Sequence, residues 1–449
     1  MEPSARQFSA WLEVFNSGDR DRYAEFLAGS FPSRLDSLDM AMLFRESSGG
    51  LDFRTLERAS DTEAAALVQE RDSDQFVRVE LTVDATEPHV ITSLNLAPIT
   101  RPAEFPIARL TEDEALTGIQ DVLDGATAAD RFSGAVLVAK NGRVLFGRAC
   151  GLADRERGIP NTLQTRFRIG SMNKMFTGVA ALQLAEAGKV ELTAPVGEYL
   201  AGYPNRDVAA KVTIHHLLTH TGGTGGIFTP EFKAHRLEVR TLDDYVRMYG
   251  DRGPEFEPGS RWRYSNYGYI LLGAVIEKVT GQAYYDYVQA RIYEPGRMTA
   301  TGSQPENQLV PDLAVGYMKP PGKAAGVPNS ETLPYRGTSA GGGYSTAGDL
   351  TRFAGALLGH ELLRPDSTQL LITGKAQIGP GTRYAYGFAD SRDTDGNGWV
   401  GHNGGAPGMS GDLRIYPQSG YTVAALANMD PPAAFRIAAW LDARLPAQG

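Results

Sequence analysis

The sequence predicts a mixed α/β fold of the α+β kind, divided into a small domain over residues 1–100 and a larger one over residues 101–449. Its 449 residues are too many for one compact core. The first hundred residues show helical periodicity followed by alternating strand patterns. In the remainder, strand patterns stand at both ends with helices between them. That order is typical of a largely antiparallel sheet flanked by helices.

The small domain is predicted from its apolar periodicity. Residues 7–28 favour two helices, with a turn and a new N-cap at Asn16–Asp19. Three strands are expected to follow, over Ala64–Glu70, Gln75–Val83 and His89–Ala97. This order is similar to the nuclear-transport-factor-2-like fold. None of the polar residues forms a recognisable catalytic set, so we expect a role in structural support or interaction.

A proline-rich stretch over residues 98–106 is interpreted as the linker. Beyond it, Asn141-Gly142 between two apolar runs predicts a hairpin, because both residues tolerate positive φ. Thr346 and Asp349 predict a helix start with a reciprocal capping pair. The helix beginning at Ser171 is expected to bury a stripe of Met175, Val179 and Leu182. The other elements expected here are helices at Thr111–Leu123, Tyr267–Val279 and Ala433–Leu445, and strands at Gly134–Ala139, Arg143–Ala149, Asp412–Tyr416 and Thr422–Ala427.

Composition narrows the possible partners. The net charge is −9 and no Lys/Arg-rich run occurs, so no nucleic-acid partner is expected. No apolar run is long enough to predict a transmembrane segment. The single cysteine, Cys150, allows no intrachain disulfide.

Met1-Glu2-Pro3-Ser4 lacks a leader pattern, so we expect a periplasmic or secreted protein if a signal peptide was removed, and otherwise a cytoplasmic one. The oligomeric state is left open.

The chemistry of the chain is first indicated by Ser171-Met172-Asn173-Lys174. Positions i and i+3 share a face of a helix, so the hydroxyl and the amine are expected to be neighbours. A lysine held away from water can lose its proton and act as a base. The helix N-terminus adds N–H groups and partial positive charge, which stabilise a forming oxyanion. These are the minimum parts for acyl transfer by serine.

Two later segments supply partners for such a serine. Tyr264-Ser265-Asn266 offers a phenol that could serve as a base beside the Lys174 ammonium, and an amide that could orient a substrate carbonyl. The segment His402-Asn403-Gly404-Gly405 contains glycines that allow close backbone approach. A backbone N–H there could complete an oxyanion hole with the N–H of Ser171.

These three segments, in this order, resemble the Ser-x-x-Lys, Tyr-x-Asn and Lys/His-x-Gly boxes of the penicillin-recognising serine hydrolase superfamily. The chain is similar to class C β-lactamases, their esterase relatives and D-aminopeptidases over about residues 105–445. The resemblance implies a β-lactamase-like domain, with a helical subdomain beside an antiparallel sheet. It implies that Ser171 is the acylated nucleophile and that Lys174 and Tyr264 share proton transfer. It assigns substrate and oxyanion binding to Asn266, His402, Gly404 and Gly405.

The histidine of the third box guides the prediction of substrate. Lysine at this position supplies a fixed positive charge for a substrate carboxylate, whereas an unperturbed histidine is mostly neutral at pH 7. We therefore expect a carboxylesterase acting on small esters. The first alternative is a D-aminopeptidase, a DD-peptidase or a weak β-lactamase acting on amides and peptides. A penicillin-binding-like recognition module with little turnover is an alternative of another class.

Two competing sites are given less weight. Gly337-Thr338-Ser339-Ala340-Gly341 matches the nucleophile elbow Gly-x-Ser-x-Gly, but no strand precedes it and no helix directly follows it, so we interpret it as a pocket-edge loop. His216 and His220 have the helical spacing of zinc ligands, but no glutamate lies between them. We therefore expect no metal and no cofactor.

Overall fold

The structure is a computed structural model that describes residues 2–323, 326–393 and 396–447. It contains two compact units. The first comprises Met1–Ala108, Lys319–Gly326 and Asp442–Arg444, and the second comprises Arg109–Met318, Val327–Leu441 and Leu445–Gly449. In the described part of the chain, no helix is both long and apolar enough to cross a membrane.

Three helices and an antiparallel sheet form the first unit. The helices are α1 (Pro3–Ser17), α2 (Arg20–Ser30) and α3 (Leu38–Ser48), with a 3-10 turn at Pro32–Ser37. The sheet contains β1 (Leu51–Ala59), β2 (Glu63–Glu70), β3 (Phe76–Val83) and β4 (Ile91–Ile99), in the order β1-β2-β3-β4. The predicted N-cap is present, because the Asp19 side chain accepts hydrogen bonds from the N–H groups of Asp21 and Arg22.

The sequence prediction missed α3 and β1. β1 is an edge strand whose pairing with β2 shifts register at Phe53/Thr55 and at Leu56/Arg58. Most of its residues are exposed. The two irregularities and the exposed charges remove the period-two alternation by which strands are recognised.

The first unit also contains a partly open cavity of about 350 Å³. Its walls are mainly aromatic and aliphatic side chains, contributed by α1, α2, α3, β3 and β4. The cavity adjoins the core of this unit, which includes Phe8, Trp11, Phe15, Tyr23 and Val79. The likeness of the unit to the nuclear-transport-factor-2-like fold stays a prediction.

The second unit is built on an eight-stranded antiparallel sheet in the order β13-β14-β15-β16-β17-β18-β5-β6. These strands are β5 (Gly134–Lys140), β6 (Arg143–Cys150), β13 (Ala376–Gly379), β14 (Thr382–Tyr384), β15 (Ala389–Arg392), β16 (Gly398–Ala406), β17 (Met409–Ile415) and β18 (Tyr421–Ala427). The shorter strands are β7 (Leu152–Asp154), β8 (Ile159–Pro160), β9 (Phe167–Arg168), β10 (Tyr317–Met318), β11 (Val327–Pro328) and β12 (Tyr344–Ser345).

Helices surround this sheet and extend away from it. They are α4 (Glu112–Ala128), α5 (Asn173–Glu186), α6 (Arg206–Lys211), α7 (Ile214–Leu218), α8 (Pro230–His235), α9 (Leu242–Tyr249), α10 (Asn266–Thr280), α11 (Tyr284–Val288), α12 (Ala347–Leu358), α13 (Pro365–Ile372) and α14 (Ala433–Arg444). Single turns lie at Gly170–Met172, Val196–Glu198, Gln289–Tyr293 and Ser330–Thr332. Mixed α/β architecture with an antiparallel sheet flanked by helices confirms the predicted fold class.

The central strands of the sheet separate two apolar cores. Val136 and Val423 point to the face covered by α4 and α14, whereas Leu137 and Leu426 point to the face covered by α5 and α12. Successive side chains of a strand point to opposite faces, so a strand buried on both faces is apolar throughout. The predicted hairpin between β5 and β6 is present, with φ of 49° at Asn141 and 78° at Gly142.

Two local predictions need correction. The predicted stripe of α5 is buried, but so are 11 of the 14 residues of this helix, which runs through the core instead of along its surface. At the start of α12, Thr346 accepts from the Asp349 N–H, but the Asp349 side chain does not complete a capping pair. Its carboxylate instead accepts hydrogen bonds from the Ala300 N–H, the Thr301 hydroxyl and the Arg352 guanidinium, and these three donors satisfy the buried anion.

Candidate active site

Ser171 lies in the 3-10 turn Gly170–Met172, which leads directly into α5. Gly170 has φ of +50°, and a Cβ on it would lie 2.9 Å from the backbone nitrogen of Gly405. Only glycine allows the turn and β16 to approach this closely. The serine is thereby held at the N-terminal end of a buried helix, where unpaired N–H groups and the helix dipole favour negative charge.

Lys174 is completely buried, and its Nζ atom has three oxygen neighbours. Nζ lies 3.2 Å from Ser171 Oγ and donates hydrogen bonds to Asn266 Oδ1, at 2.8 Å, and to the carbonyl oxygen of Ala340. Burial lowers the pKa of Lys174 well below its ordinary value of 10.5, because the charged form loses its hydration. The structure therefore places next to the serine hydroxyl an amine whose protonated form is disfavoured by burial.

Tyr264 lies over the same lysine, with its ring centroid 4.7 Å from Nζ. Burial raises the pKa of the Tyr264 phenol above its ordinary value, and a side-chain hydrogen bond with Ser171 opposes this change only in part. The direction of the shift corrects the expectation that a nearby ammonium makes Tyr264 a phenolate, because the burial that neutralises the lysine also disfavours the phenolate.

Asn266 is positioned by the start of α10. Ser265 caps this helix by accepting a hydrogen bond from the Gly268 N–H at 3.0 Å. The cap places Asn266 in the first turn, with its amide oxygen on Lys174. Ser171, Lys174, Tyr264 and Asn266, predicted from two distant segments, are therefore brought together in one cluster.

His402 lies on β16 but is 5% exposed and does not line the pocket at Ser171. Its ring stands behind Tyr264, with 6.5 Å between ring centroids, and its Nε2 lies 3.0 Å from the Tyr384 hydroxyl. Burial, followed by the nearby Lys174, lowers the pKa of His402 to about 3. The neutral charge state expected for this histidine is therefore supported. Its position differs from the expected one, because the ring lies near Tyr264 and does not line the pocket.

Gly404 and Gly405 bring the backbone of β16 against the serine turn. A Cβ on Gly404 would lie 1.9 Å from the carbonyl oxygen of Ile169 and 3.1 Å from the nitrogen of Ser171. Gly405 lines the pocket together with Ser171. The strand backbone therefore lies beside the nucleophile, and its role as an oxyanion donor stays a prediction.

The sequence prediction missed several neighbours of this cluster. The Ala340 carbonyl accepts a hydrogen bond directly from Lys174. Because it is a backbone group, the residue type does not reveal it in the sequence. His220 packs on Tyr264, with 4.3 Å between ring centroids, and its Nδ1 accepts from the Ser265 N–H. The run of Thr and His residues around His220 marks this segment in the sequence. Only the spatial arrangement shows that the His220 ring contacts Tyr264.

Ser339, the competing nucleophile, is fully buried, and no hydrogen-bond partner is found for its Oγ among the described residues. The next strand after it is β12, and α12 begins only at Ala347. The strand–turn–helix context of a nucleophile elbow is absent from this described segment. The loop nevertheless contributes to the Ser171 site through Ala340.

A pocket of about 570 Å³ opens at the serine. Its floor carries Ser171 and Tyr264, and much of its wall is apolar. Among the described residues that line it, Asp430 has the charged side chain, and its Oδ1 accepts from the Gly408 N–H at 2.7 Å. The remaining wall is formed by Asn403, Gly405, Ala406, Pro407, Pro431 and Phe435. The described residues contain no cluster of three potential metal ligands.

Comparison with known proteins identifies the family to which the chain belongs. Residues 119–448 match the family described as Beta-lactamase. The chain belongs to the beta-lactamase family. The solved structure of the penicillin-binding protein of Bacillus halodurans has a similar fold, with a TM-score of 0.66. Its sequence is 33% identical, and the match covers 72% of this chain and 98% of that one. The predicted superfamily is therefore confirmed.

Two further relatives of this beta-lactamase-family chain are hydrolases by name. Esterase EstB of Burkholderia gladioli is 37% identical over 207 residues, which cover 42% of this chain and 53% of the esterase. A D-stereospecific amidohydrolase from Streptomyces sp. is 30% identical with a TM-score of 0.60, over 70% of this chain and 94% of that one. The chain is a serine hydrolase.

Proposed function

We propose that this serine hydrolase forms an acyl-enzyme on Ser171 and that its preferred substrates are esters of small carboxylic acids. The observation that carries the proposal is the set of partners around Lys174 Nζ. A neutral amine has two N–H groups and one lone pair. Asn266 Oδ1 and the Ala340 carbonyl take the two N–H groups, so the lone pair is directed at Ser171 Oγ, 3.2 Å away.

Acylation then begins with proton transfer from the Ser171 hydroxyl to the Lys174 lone pair as Oγ bonds to the ester carbonyl carbon. The carbonyl oxygen becomes an oxyanion, for which the N–H groups of Ser171 and Gly405 are the proposed donors. Tyr264, kept as a phenol by burial, gives its proton to the leaving alkoxide and regains one from Lys174. The C–O bond to the leaving group breaks, and water reverses the sequence to release the acid.

The preference for esters is supported by the pocket wall. The apolar side chains of Ala406, Pro407 and Phe435 suit a small acyl group. No cationic side chain lies among the described residues of the lining, so they offer no charged partner to a substrate carboxylate. Relationship to esterase EstB supports the same substrate class.

A second candidate is hydrolysis of amides or esters of D-amino acids. The observation favouring it is that the pocket lining contains a carboxylate, Asp430, whose oxygens are the kind of acceptor that an α-ammonium group uses. The relative described as a D-stereospecific amidohydrolase is consistent with this candidate. β-Lactam hydrolysis is the less favoured activity, because β-lactam antibiotics carry the carboxylate that this pocket does not pair.

Parallel turnover assays test the proposal. The full chain is offered p-nitrophenyl butyrate, D-alanine p-nitroanilide and nitrocefin, with Ser171→Ala as the control for each. We expect the highest kcat/KM for the butyrate ester and loss of nearly all turnover in the control. Faster turnover of the anilide would move the assignment to the second candidate, and faster turnover of nitrocefin would contradict the argument from pocket charge.

A further inference from the structure

A second pocket of the larger unit shares no residue with the pocket at Ser171. Its volume is about 370 Å³. Donor groups dominate its lining, and no carboxylate side chain occurs among the described residues that form it. The lining consists of His215, His216, Thr219, Thr221, Gly259, Arg261, Trp262, Lys375, Ala376 and Gln377.

Arg261 supplies one positive charge to this pocket. Its guanidinium lies over the Phe256 ring, with 4.6 Å between Cζ and the ring centroid. Within the described ranges no carboxylate forms an ion pair with it. A guanidinium that is positioned by an aromatic ring but not neutralised offers its planar set of donors to an anionic ligand.

Lys375 supplies the second charge from a different segment. Its Nζ donates to the carbonyl oxygens of Leu370 and Thr373, both at 2.6 Å, and lies 4.0 Å from the centroid of the Tyr386 ring. The two hydrogen bonds use two of the three N–H groups of an ammonium. Partial burial, opposed in part by the Asp390 carboxylate, lowers the pKa of Lys375 to about 8, which leaves the ammonium form predominant at pH 7.

The imidazoles add hydrogen bonding without further charge. His215 Nδ1 lies 2.8 Å from the Tyr386 hydroxyl, which fixes the ring beside Lys375. Burial lowers the pKa values of both His215 and His216, so the neutral form of each ring predominates at pH 7. The pocket thus combines two positive charges from separate segments with neutral polar groups, a lining that suits an anion with several hydrogen-bond acceptors.

We propose that this pocket binds a phosphate group, either free or as a phosphomonoester of a small organic molecule. The Arg261 guanidinium and the Lys375 ammonium are the two cationic groups of its lining. A carboxylate has one negative charge, so it would neutralise only one of the two cationic side chains. The pocket is larger than one phosphate requires, which leaves room against the Trp262 ring for an organic substituent.

Calorimetric titration of the full chain in chloride buffer tests the proposal independently of turnover. The ligands are inorganic phosphate, phenyl phosphate and acetate. We expect saturable phosphate binding with a dissociation constant of roughly 1 mM or tighter, tighter binding of phenyl phosphate if the ligand is an organic phosphate, and weak binding of acetate. Absence of saturable binding of both phosphates, or equal binding of acetate, would overturn the proposal.

Variants locate the binding. Arg261→Gln and Lys375→Gln should each weaken phosphate binding by about tenfold, whereas Lys375→Arg should retain most of it. Lys189→Gln removes a charge from an exposed position outside the pocket and should leave binding unchanged. The midpoint of urea unfolding checks that each variant is folded. Phosphate binding that is unaltered in both Gln variants would place the ligand elsewhere and contradict the assignment.

Discussion

At the scale of single residues, the charge state of Lys174 determines the proposed chemistry. An exposed lysine would be protonated at neutral pH and could not accept the serine proton. Burial removes the hydration that stabilises the ammonium, and two carbonyl acceptors match the two N–H groups of the neutral amine. The same burial keeps Tyr264 as a phenol, so the base and the acid of the proposed cycle have one physical cause.

The pH dependence of turnover tests that charge state. Lys174 must be deprotonated to act as a base, so kcat/KM should rise with pH as this group loses its proton and then level off. Because burial lowers its pKa, we expect the midpoint of that rise well below 10.5. Lys174→Ala should lose about 10³-fold or more in kcat/KM for p-nitrophenyl butyrate. A rise centred near 10.5 would show an ordinary, hydrated lysine.

The residues that carry this chemistry could be predicted because their side chains are chemically distinctive. Ser171, Lys174 and Tyr264 stand at short, ordered spacings, and the structure places them in contact. The Ala340 carbonyl could not be predicted, since any residue supplies a backbone carbonyl. The location of His402 behind Tyr264 depends on the packing of rings from separate segments, which spacing along the chain does not reveal.

At the scale of elements, the site depends on how closely β16 approaches the turn that carries Ser171. The two backbones meet at Gly170 and Gly404, where side-chain atoms would collide with the opposite chain. Such contact fixes the proposed oxyanion donors relative to the nucleophile.

Gly404→Ala tests this approach. Its Cβ would lie 1.9 Å from the Ile169 carbonyl oxygen, so β16 must move away from the turn. We expect kcat/KM to fall by about 10²-fold, the usual loss when one oxyanion donor is removed. Gly125→Ala is the matched control, because its Cβ meets nothing within 4 Å on α4. That control should retain activity and raise the free energy of unfolding by up to about 1 kcal/mol. Full activity in Gly404→Ala would contradict the role of the close approach.

Prediction of the elements succeeded where local chemistry determined the structure. The helix expected at Thr111–Leu123 is α4, where the structure shows a capping box between Thr111 and Glu114, and the Asn141-Gly142 turn joins β5 and β6 as expected. β1 was missed because its two register shifts break the alternation of its side chains. The burial of α5 on all sides was also missed, because it depends on sheet and helices that are far away in the sequence.

At the scale of the whole molecule, burial of His402 links the site to acid stability. Its pKa is about 3 in the folded chain and about 6.5 when unfolded. Between these values the unfolded state binds one more proton, so this group makes the free energy of unfolding fall as the pH falls from 6.5 towards 3. The contribution is fully present above pH 6.5, and burial of His220 acts in the same direction.

His402→Gln measures that link. Glutamine can still accept from the Tyr384 hydroxyl but does not titrate. Urea unfolding between about pH 4 and pH 6 should show a shallower loss of stability in the variant, by about 1.4 kcal/mol per pH unit. His235→Gln, at an exposed position, should follow the wild type. Parallel curves for wild type and His402→Gln would show that His402 is not buried as a neutral ring.

The central claim is that Ser171 is the nucleophile, and covalent labelling tests it most directly. The full chain is treated with a fluorophosphonate probe and the modified peptide is identified by mass spectrometry. We expect one adduct on Ser171, formed at a rate that falls by about 10³-fold in Lys174→Ala. Modification of Ser339, or labelling of Ser171 at the same rate without the lysine, would contradict the account.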